Sequence, residues 1–410
     1  MIIAVDPLYV ICNTFGVFKR VHYYSTSISE DFNLEVRWHI GLRHVNMRGA
    51  PKAHQFIHSY SVRGIYQVTH RLGAGSEGTV MRAFNINTGA EVAIKQMSRT
   101  NRDDLLWPIL KFEALMLALI PDGTEGFPSV HYAGPDANAY VIVMDRLGPN
   151  LGALHCLCRG TFTLRTICML ADQMVSSSTA STVSGMVDRV VSSLATPRQL
   201  DRIQLVHSRG MVSCDIKPHN FAMGFDKTAH IVHMFDFAGA RLYVTPDGEH
   251  LPLSTSKRPL GTARYASLAA HRAQTVSRAD DIESLLYVLL EFLHGTLPWE
   301  RLPVSLPADS VFVLKADSSP TGSIQTLLVR SPPEFAAYHA HVMGLAFGAE
   351  PDYALLRGLF RRRMREEGWV YDGRYDWMDP SGLVKGTLVP AEYNVSMDFV
   401  EDKEWNPKYT

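Results

Sequence analysis

The sequence has few cysteines, no excess of charge of either sign and no long apolar run. Its five cysteines, Cys12, Cys156, Cys158, Cys168 and Cys214, show no zinc-site spacing and no even disulfide framework. That argues against a disulfide-stapled secreted scaffold and for a reducing compartment, the cytoplasm or the nucleus. Cys156-x-Cys158 reads as incidental rather than as a ligand pair. Lysine and arginine number 40 against 41 aspartates and glutamates, a formal net charge of −1. Such a balance gives no dominant footprint for nucleic acid or for an anionic membrane. No stretch is apolar for long enough to span a bilayer. Met1 to Phe18 is apolar-rich, but Asp6 interrupts it. It lacks a basic start and a small-residue cleavage site, so it does not read as a signal peptide.

What is present is a chain of 410 residues, 46% of them apolar, enough for a sizeable core and a soft prior of two or three domains. Residues 1–62 mix aromatics, histidines and charges without a sustained period and read as a poorly ordered extension. Order begins at Tyr66 and Val68, which alternate with polar neighbours as in a half-buried strand.

Leu72-Gly73-Ala74-Gly75-Ser76-Glu77-Gly78-Thr79-Val80 follows. A lone GxGxxG is weak, and its context decides between two phosphate cradles. In a dinucleotide-binding loop the glycines open a helix. Here Thr79 to Phe84 reads as another strand, Asn87-Thr88-Gly89 as a turn, and Glu91-Val92-Ala93-Ile94-Lys95 as a third strand. A glycine loop inside a hairpin covers phosphates with backbone amides, where a Cβ would hinder close approach. Lys95 ends Val-Ala-Ile-Lys, the position from which a lysine pairs the α/β-phosphates and a helix glutamate. Arg102 to Ile120 contains a helical pattern, and Glu113 is the expected partner; Glu91, on the same strand as Lys95, is the structural alternative.

Tyr140 to Met144 is a buried-strand run, and Asp145-Arg146-Leu147-Gly148-Pro149 breaks regular structure as a hinge does. Thr163 to Met174 has helical spacing. Val175 to Gln199 is rich in Ser, Thr and Val and reads as a flexible insertion within a helix that resumes at Ile203, Leu205 and Val206.

The chain's chemistry concentrates in Ser213-Cys214-Asp215-Ile216-Lys217-Pro218-His219-Asn220-Phe221. An aspartate, a lysine two residues on and an asparagine three further suit phosphoryl transfer. The carboxylate takes or orients a hydroxyl proton, the ammonium faces the γ-phosphate and the amide oxygen holds a metal. Ile231 to Phe237 reads as a short strand leading into Asp236-Phe237-Ala238-Gly239, which matches a metal-binding D-F-G except for the alanine. Gly261 to Ser267 reads as a loop, and Asp280 to Leu293 as a helix ended by Gly295 and Pro298. Further amphipathic helices run from Glu334 to Trp377, with Arg361 to Arg363 as a solvated face.

These stretches resemble the casein kinase 1 branch of the eukaryotic protein kinases. The resemblance rests on Leu-Gly-Pro-Asn-Leu (147–151), Leu-Ala-Asp-Gln-Met (170–174), Asp-Ile-Lys-Pro-His-Asn-Phe-Ala-Met-Gly (215–224), Gly-Thr-Ala-Arg-Tyr-Ala-Ser (261–267) and Ser-Arg-Ala-Asp-Asp-Ile-Glu-Ser-Leu (277–285), with shorter matches onward to Trp377. It implies an α+β, two-lobed kinase fold: residues 63–144 as the smaller lobe, 145–149 as hinge, 150–378 as the helical lobe, and 379–410 as a tail. It implies transfer of the γ-phosphate of ATP, with Mg²⁺, to Ser or Thr of protein substrates, acidic or already phosphorylated, by a monomer. Leu72, Gly73, Gly75, Gly78, Val80, Lys95, Glu113, Met144, Asp145 and Leu147 would bind ATP. Asp215 would be the base, Lys217 the γ-phosphate contact, Asn220 and Asp236 the Mg²⁺ ligands, and Arg264 a substrate contact. Asp281 would support the backbone of the catalytic loop.

Four departures from the family pattern stand out. Ser213-Cys214 replaces His-Arg, removing a core ring and the usual link to a phosphorylated activation loop. Ala238 stands where glycine is usual; its Cβ should hinder flipping of Asp236, which implies slowed rather than abolished chemistry. Leu302 to Arg330 holds one lysine, Lys315, where the family is lysine-rich, which weakens the case for primed substrates. The fourth is 175–199. Without it the chain reads Leu-Ala-Asp-Gln-Met-Leu-Asp-Arg-Ile-Gln-Leu-Val-His-Ser, the family's helix without a gap. A valine codon begins GT and one glutamine codon is CAG, the ends of a spliceable intron. The segment reads equally as a translated intron or as a tolerated surface loop. The alternative function is a pseudokinase, a nucleotide-binding scaffold with weak or no transfer.

Overall fold

The computed structural model describes residues 60–75, 78–98, 107–137, 139–175, 202–255, 258–300 and 309–378. The extension up to residue 59, Ser76-Glu77 of the glycine loop, 176–199 of the insertion and the tail 379–410 lie outside them.

The described chain is mixed α+β, sheet first and helices after. Strands β1 (Ser61–Val62), β2 (Tyr66–Gly75), β3 (Gly78–Asn85), β4 (Glu91–Ser98), β5 (Val130–Asp136) and β6 (Ala139–Asp145) form an antiparallel sheet in the order β1-β2-β3-β4-β6-β5. Helix α1 (Trp107–Ala118) packs on β5 and β6. The sheet's alternation sets up the site. Val92 and Ile94 of β4 point into one apolar cluster with Val68, Ala83, Val141 and Val143. Ala93 and Met97 point the other way, towards Leu110 of α1. Lys95 belongs to that second face by the period of two.

The remainder is α2 (Leu151–Leu157), α3 (Leu164–Val175), α4 (Arg202–Ser208), β7 (Met211–Val212), β8 (Phe221–Met223), β9 (Val232–Met234), β10 (Arg241–Leu242), α5 (Leu268–His271), α6 (Arg278–His294), α7 (Ser310–Ala316), α8 (Ser323–Val329), α9 (Pro333–Met343) and α10 (Tyr353–Glu366). Two short ladders, β7 with β10 and β8 with β9, bracket the Asp215 loop. Helix α6 is the axis of this part. Ser277 and Asp280 cap its start reciprocally, and Gly295 ends it in the left-handed region at φ 80°. Ile282, Leu285, Leu286 and Leu289 are fully buried, as a helix enclosed on most sides requires. No described helix is long and apolar enough to cross a membrane.

Several sequence expectations change. Ser61–Val62, assigned to the extension, form β1, with Val62 1% exposed. The strand expected over 231–237 is only β9. Arg361 and Arg363 do not form a solvated face: Arg361 Nε lies 2.5 Å from Asp172 Oδ1 of α3, and Arg363 Nη2 lies 2.9 Å from Glu334 Oε1 of α9. They tie α10 to its neighbours.

Candidate active site

Lys95 stands opposite Val80 of β3 and opposite Ile142 of β6. Directly paired residues share a face. Val80, Lys95 and Ile142 therefore lie on one side of the sheet. Met144, opposite Ala93, joins them within the cluster of Leu110, Tyr140 and Ile142. Gly73 pairs with Val80 and Gly75 with Gly78, so both glycines lie beside β3 in the sheet; Leu72 falls at the irregularity between Arg71 and Gly73.

Lys95 Nζ lies 2.8 Å from Glu113 Oε2 of α1 and 3.0 Å from Asp236 Oδ1, which follows β9. Glu113 is 1% exposed, so a buried carboxylate there needs a cation such as Lys95 beside it. Glu91, the alternative partner, pairs instead with Arg82 and Arg146. Asp236 holds φ 64°, a region sparsely used by non-glycine residues and enriched at functional positions. Phe237 next to it is fully buried and stacks with Phe127 at 6.3 Å, which anchors the aspartate. Ala238 has no positive φ, so its Cβ sits in ordinary backbone geometry.

The 213–220 loop is held by Asp281 of α6 and by Thr262. Asp281 Oδ2 accepts the Ser213 amide at 2.6 Å, and its Oδ1 accepts the Cys214 amide at 2.9 Å. Cys214 has φ 62°, and burial pushes its thiol well above the usual range, which makes it a poor nucleophile. Asp215 Oδ1 accepts both the amide of Thr262 at 3.0 Å and its hydroxyl at 2.7 Å. Asp215 Oδ2 lies 2.7 Å from Lys217 Nζ, and Asn220 Nδ2 donates to it at 3.4 Å and to the Asp215 carbonyl at 3.0 Å. Gly261 is required before Thr262: its φ is 77°, and a Cβ there would fall 2.3 Å from the Cys214 carbonyl.

Asp145 and Leu147 differ in their contacts. Asp145 gives its amide to the Ser129 carbonyl at 3.0 Å, and its carboxylate accepts the Ser129 amide at 3.0 Å and meets His131 Nε2 at 2.8 Å. Burial opposes ionisation of Asp145, but the His131 and Ser129 hydrogen bonds hold its carboxyl below the usual value. Among the described residues, the Leu147 amide has no backbone partner.

Arg264 is not turned outward. Nη1 lies 3.2 Å from Glu291 Oε1 and Nη2 lies 3.2 Å from Glu300 Oε1. Two internal carboxylates already engage the guanidinium, so binding a substrate phosphate there would require exchange.

Asn220 and Asp236 supply hard oxygen donors. Among the described residues, no group of three His, Cys, Asp or Glu side chains gathers as a metal site. One amide oxygen and one carboxylate suit a Mg²⁺ that keeps waters and takes phosphate oxygens, rather than an all-protein cage.

Two participants escaped the sequence reading. His207 bridges α4, α6 and α10: Nε2 lies 3.0 Å from Asp281 Oδ2, and Nδ1 lies 2.6 Å from the Tyr353 hydroxyl. Thr262 sits inside a quoted motif, yet its contact spans 47 positions and leaves no local pattern. Scanned against known protein-family models, the chain matches none.

Proposed function

We propose that this chain is an ATP-dependent protein Ser/Thr kinase with the two-lobed kinase fold, similar to casein kinase 1. The observation that carries the reading is the single ammonium of Lys95 between Glu113 and Asp236, 2.8 and 3.0 Å away. It joins a sheet, a helix and the strand-end aspartate at one point, and an ammonium so fixed can orient a nucleotide's phosphates.

The geometry supports the following roles. Amides of Gly73, Gly75 and Gly78 cover the phosphates, with Val80 and Met144 as the apolar wall for the base. Asp215, oriented by Thr262, accepts the proton of a Ser or Thr hydroxyl. Lys217, 2.7 Å from the same carboxylate, is within reach of the transferred phosphoryl group. Asn220 and Asp236 would hold Mg²⁺, which when bound neutralises charge on the β- and γ-oxygens. Because Arg264 is engaged by Glu291 and Glu300, the reading favours a substrate with a plain Ser or Thr over one needing a priming phosphate.

Thermal melting with Mg-ATP tests the nucleotide half of this reading. A ligand selective for the folded state raises stability, by about 2.7 kcal/mol at a hundredfold excess over Kd. A clear rise in wild type that is lost in Lys95→Met and Asp236→Ala supports the reading. An equal response in all three proteins, or none in wild type, rejects it.

A further inference from the structure

Lys315, the lone lysine of 302–330, is not on the surface. It is 3% exposed, on α7. Its Nζ donates to the Ala266 carbonyl at 2.7 Å and the Ala263 carbonyl at 2.9 Å, and lies 3.3 Å from His271 Nε2. The ammonium also stands 4.6 Å from the Tyr287 ring centre and 5.2 Å from that of Trp299. Trp299 adds a third tie to the same stretch, donating Nε1–H to the Arg264 carbonyl at 2.8 Å.

These ties bear on the candidate base. Tyr265 and Ala266 both return their amides to the Thr262 carbonyl, at 2.9 and 2.8 Å. Residues 262–266 are therefore one closed turn, gripped at 263, 264 and 266 from below. Its leading residue, Thr262, gives both of its donors to Asp215 Oδ1. We propose that Lys315 is a positioning residue: its ammonium fixes the Thr262–Ala266 turn, and through Thr262 the orientation of the Asp215 carboxylate. The activity part of this inference rests on the kinase reading; the structural part does not.

The hold depends on the charged form. An ammonium has three N–H donors, which match the two carbonyls and His271 Nε2, and its charge is what the two aromatic faces attract. A neutral amine keeps two donors and loses the ring attraction. The titratable groups around it are His271 on α5 and Glu283 and Tyr287 on α6, with Asp280 acting on Glu283. Burial pushes His271 down to about 4, so it is the neutral acceptor. Burial also drives Lys315 down from its usual value, with the Glu283 charge opposing this only in part, and drives the neighbouring Glu283 carboxyl up. The turn is thus held at acidic to neutral pH and released as pH rises and Lys315 loses its proton.

Hydrogen exchange at the Tyr265 and Ala266 amides of the full chain tests this directly. In wild type, protection corrected for intrinsic rate should fall between pH 6 and 8.5, while the α6 amides of Leu285 to Leu289 stay protected. In Lys315→Met, protection should be about tenfold lower at pH 6 and flat with pH, one lost charge-assisted hydrogen bond being worth about that factor. The transfer rate at saturating ATP should fall with it, with KM for ATP unchanged. Pairing exchange with transfer separates the two readings. Altered exchange in a protein with no transfer activity keeps the positioning role and rejects the kinase. Unaltered exchange and rate in Lys315→Met overturn the proposal. If that variant does not fold, wild type decides alone: protection constant across pH overturns it, and loss with rising pH supports it.

Discussion

Asp281 and Ser213, 68 positions apart, are joined by a 2.6 Å hydrogen bond from the Ser213 amide to Asp281 Oδ2, both residues being at most 2% exposed. The same carboxylate holds the Cys214 amide and His207. Removing it strands two backbone donors, each costing about 1–3 kcal/mol when unpaired and buried. Asp281→Ala should lower unfolding free energy by about 3 kcal/mol in urea and slow transfer more than it weakens ATP binding. An unchanged urea midpoint would contradict this.

Gly73 and Gly78 look alike in the sequence but face different constraints. A Cβ at Gly73 meets nothing within 4 Å, whereas one at Gly78, φ 116°, would lie 2.3 Å from the Gln96 carbonyl. Gly78→Ala should therefore cost about 1–3 kcal/mol through backbone strain. Gly73→Ala should leave stability within about 0.5 kcal/mol and act on ATP affinity. Urea melts with and without Mg-ATP distinguish the two, and equal losses of stability would refute the contrast.

The flanks of the insertion meet in space. Gln173 Oε1 accepts from the Val232 amide at 2.8 Å and from Arg202 Nη2 at 3.3 Å, and Arg202 Nε donates to the Val232 carbonyl at 2.9 Å. With 175–199 removed, Met174, Leu200 and Asp201 join them, and Gln173 and Arg202 become i and i+4 neighbours on one helix face, where such contacts form. The contact seen in the full chain is the one an uninterrupted helix would make. The deletion variant should express solubly and melt no lower than the full chain. A melting point several degrees lower would show that the segment contributes to the fold.

His155 is 7% exposed between Phe162 and Phe292, at centroid distances of 5.2 and 5.3 Å. Burial pushes it down to about 4, against 6.5 when unfolded; the Glu300 charge and backbone hydrogen bonds offset this only in part. Between those values the unfolded chain binds a proton that the native chain does not, so stability falls as pH drops from 6.5 towards 4. Raised carboxyls such as Asp280 act in the opposite sense, so the comparison must be with a variant. His155→Phe should gain on wild type by up to about 1.4 kcal/mol per pH unit across that window. Parallel stability curves would rule out a neutral His155.

Much of the site was readable because its residues announce themselves locally. Lys95 ends a Val-Ala-Ile-Lys stretch after glycines, although the strand itself runs on to Ser98, and α6 carries both its cap and its stop. Glu113 needed only a helical register to be preferred over Glu91. The omissions share one cause, contacts between distant positions. Strand β5 contains Gly134 and Pro135, which argue against a strand, yet it lies at the sheet's edge, where proline is tolerated. Helices α7 and α8 are each seven residues long, too short for a period to show through Ser and Pro. The Arg361–Arg363 run reads as solvent-facing until α3 and α9 bring their carboxylates to it. Lys315 carries no sign in its neighbours that two carbonyls 49 and 52 positions away will take its charge.

The central claim is that Asp215 serves a phosphoryl transfer. Its most direct test is label transfer from γ-labelled Mg-ATP to casein, comparing wild type with Asp215→Asn. The substitution keeps the shape of the side chain and the Thr262 contacts on Oδ1 while removing the base. Wild type should label casein, and Asp215→Asn should lose at least about a hundredfold in rate, the usual scale of general-base catalysis, with its Mg-ATP melting shift retained. Equal labelling by the two proteins, or none by wild type, would contradict it.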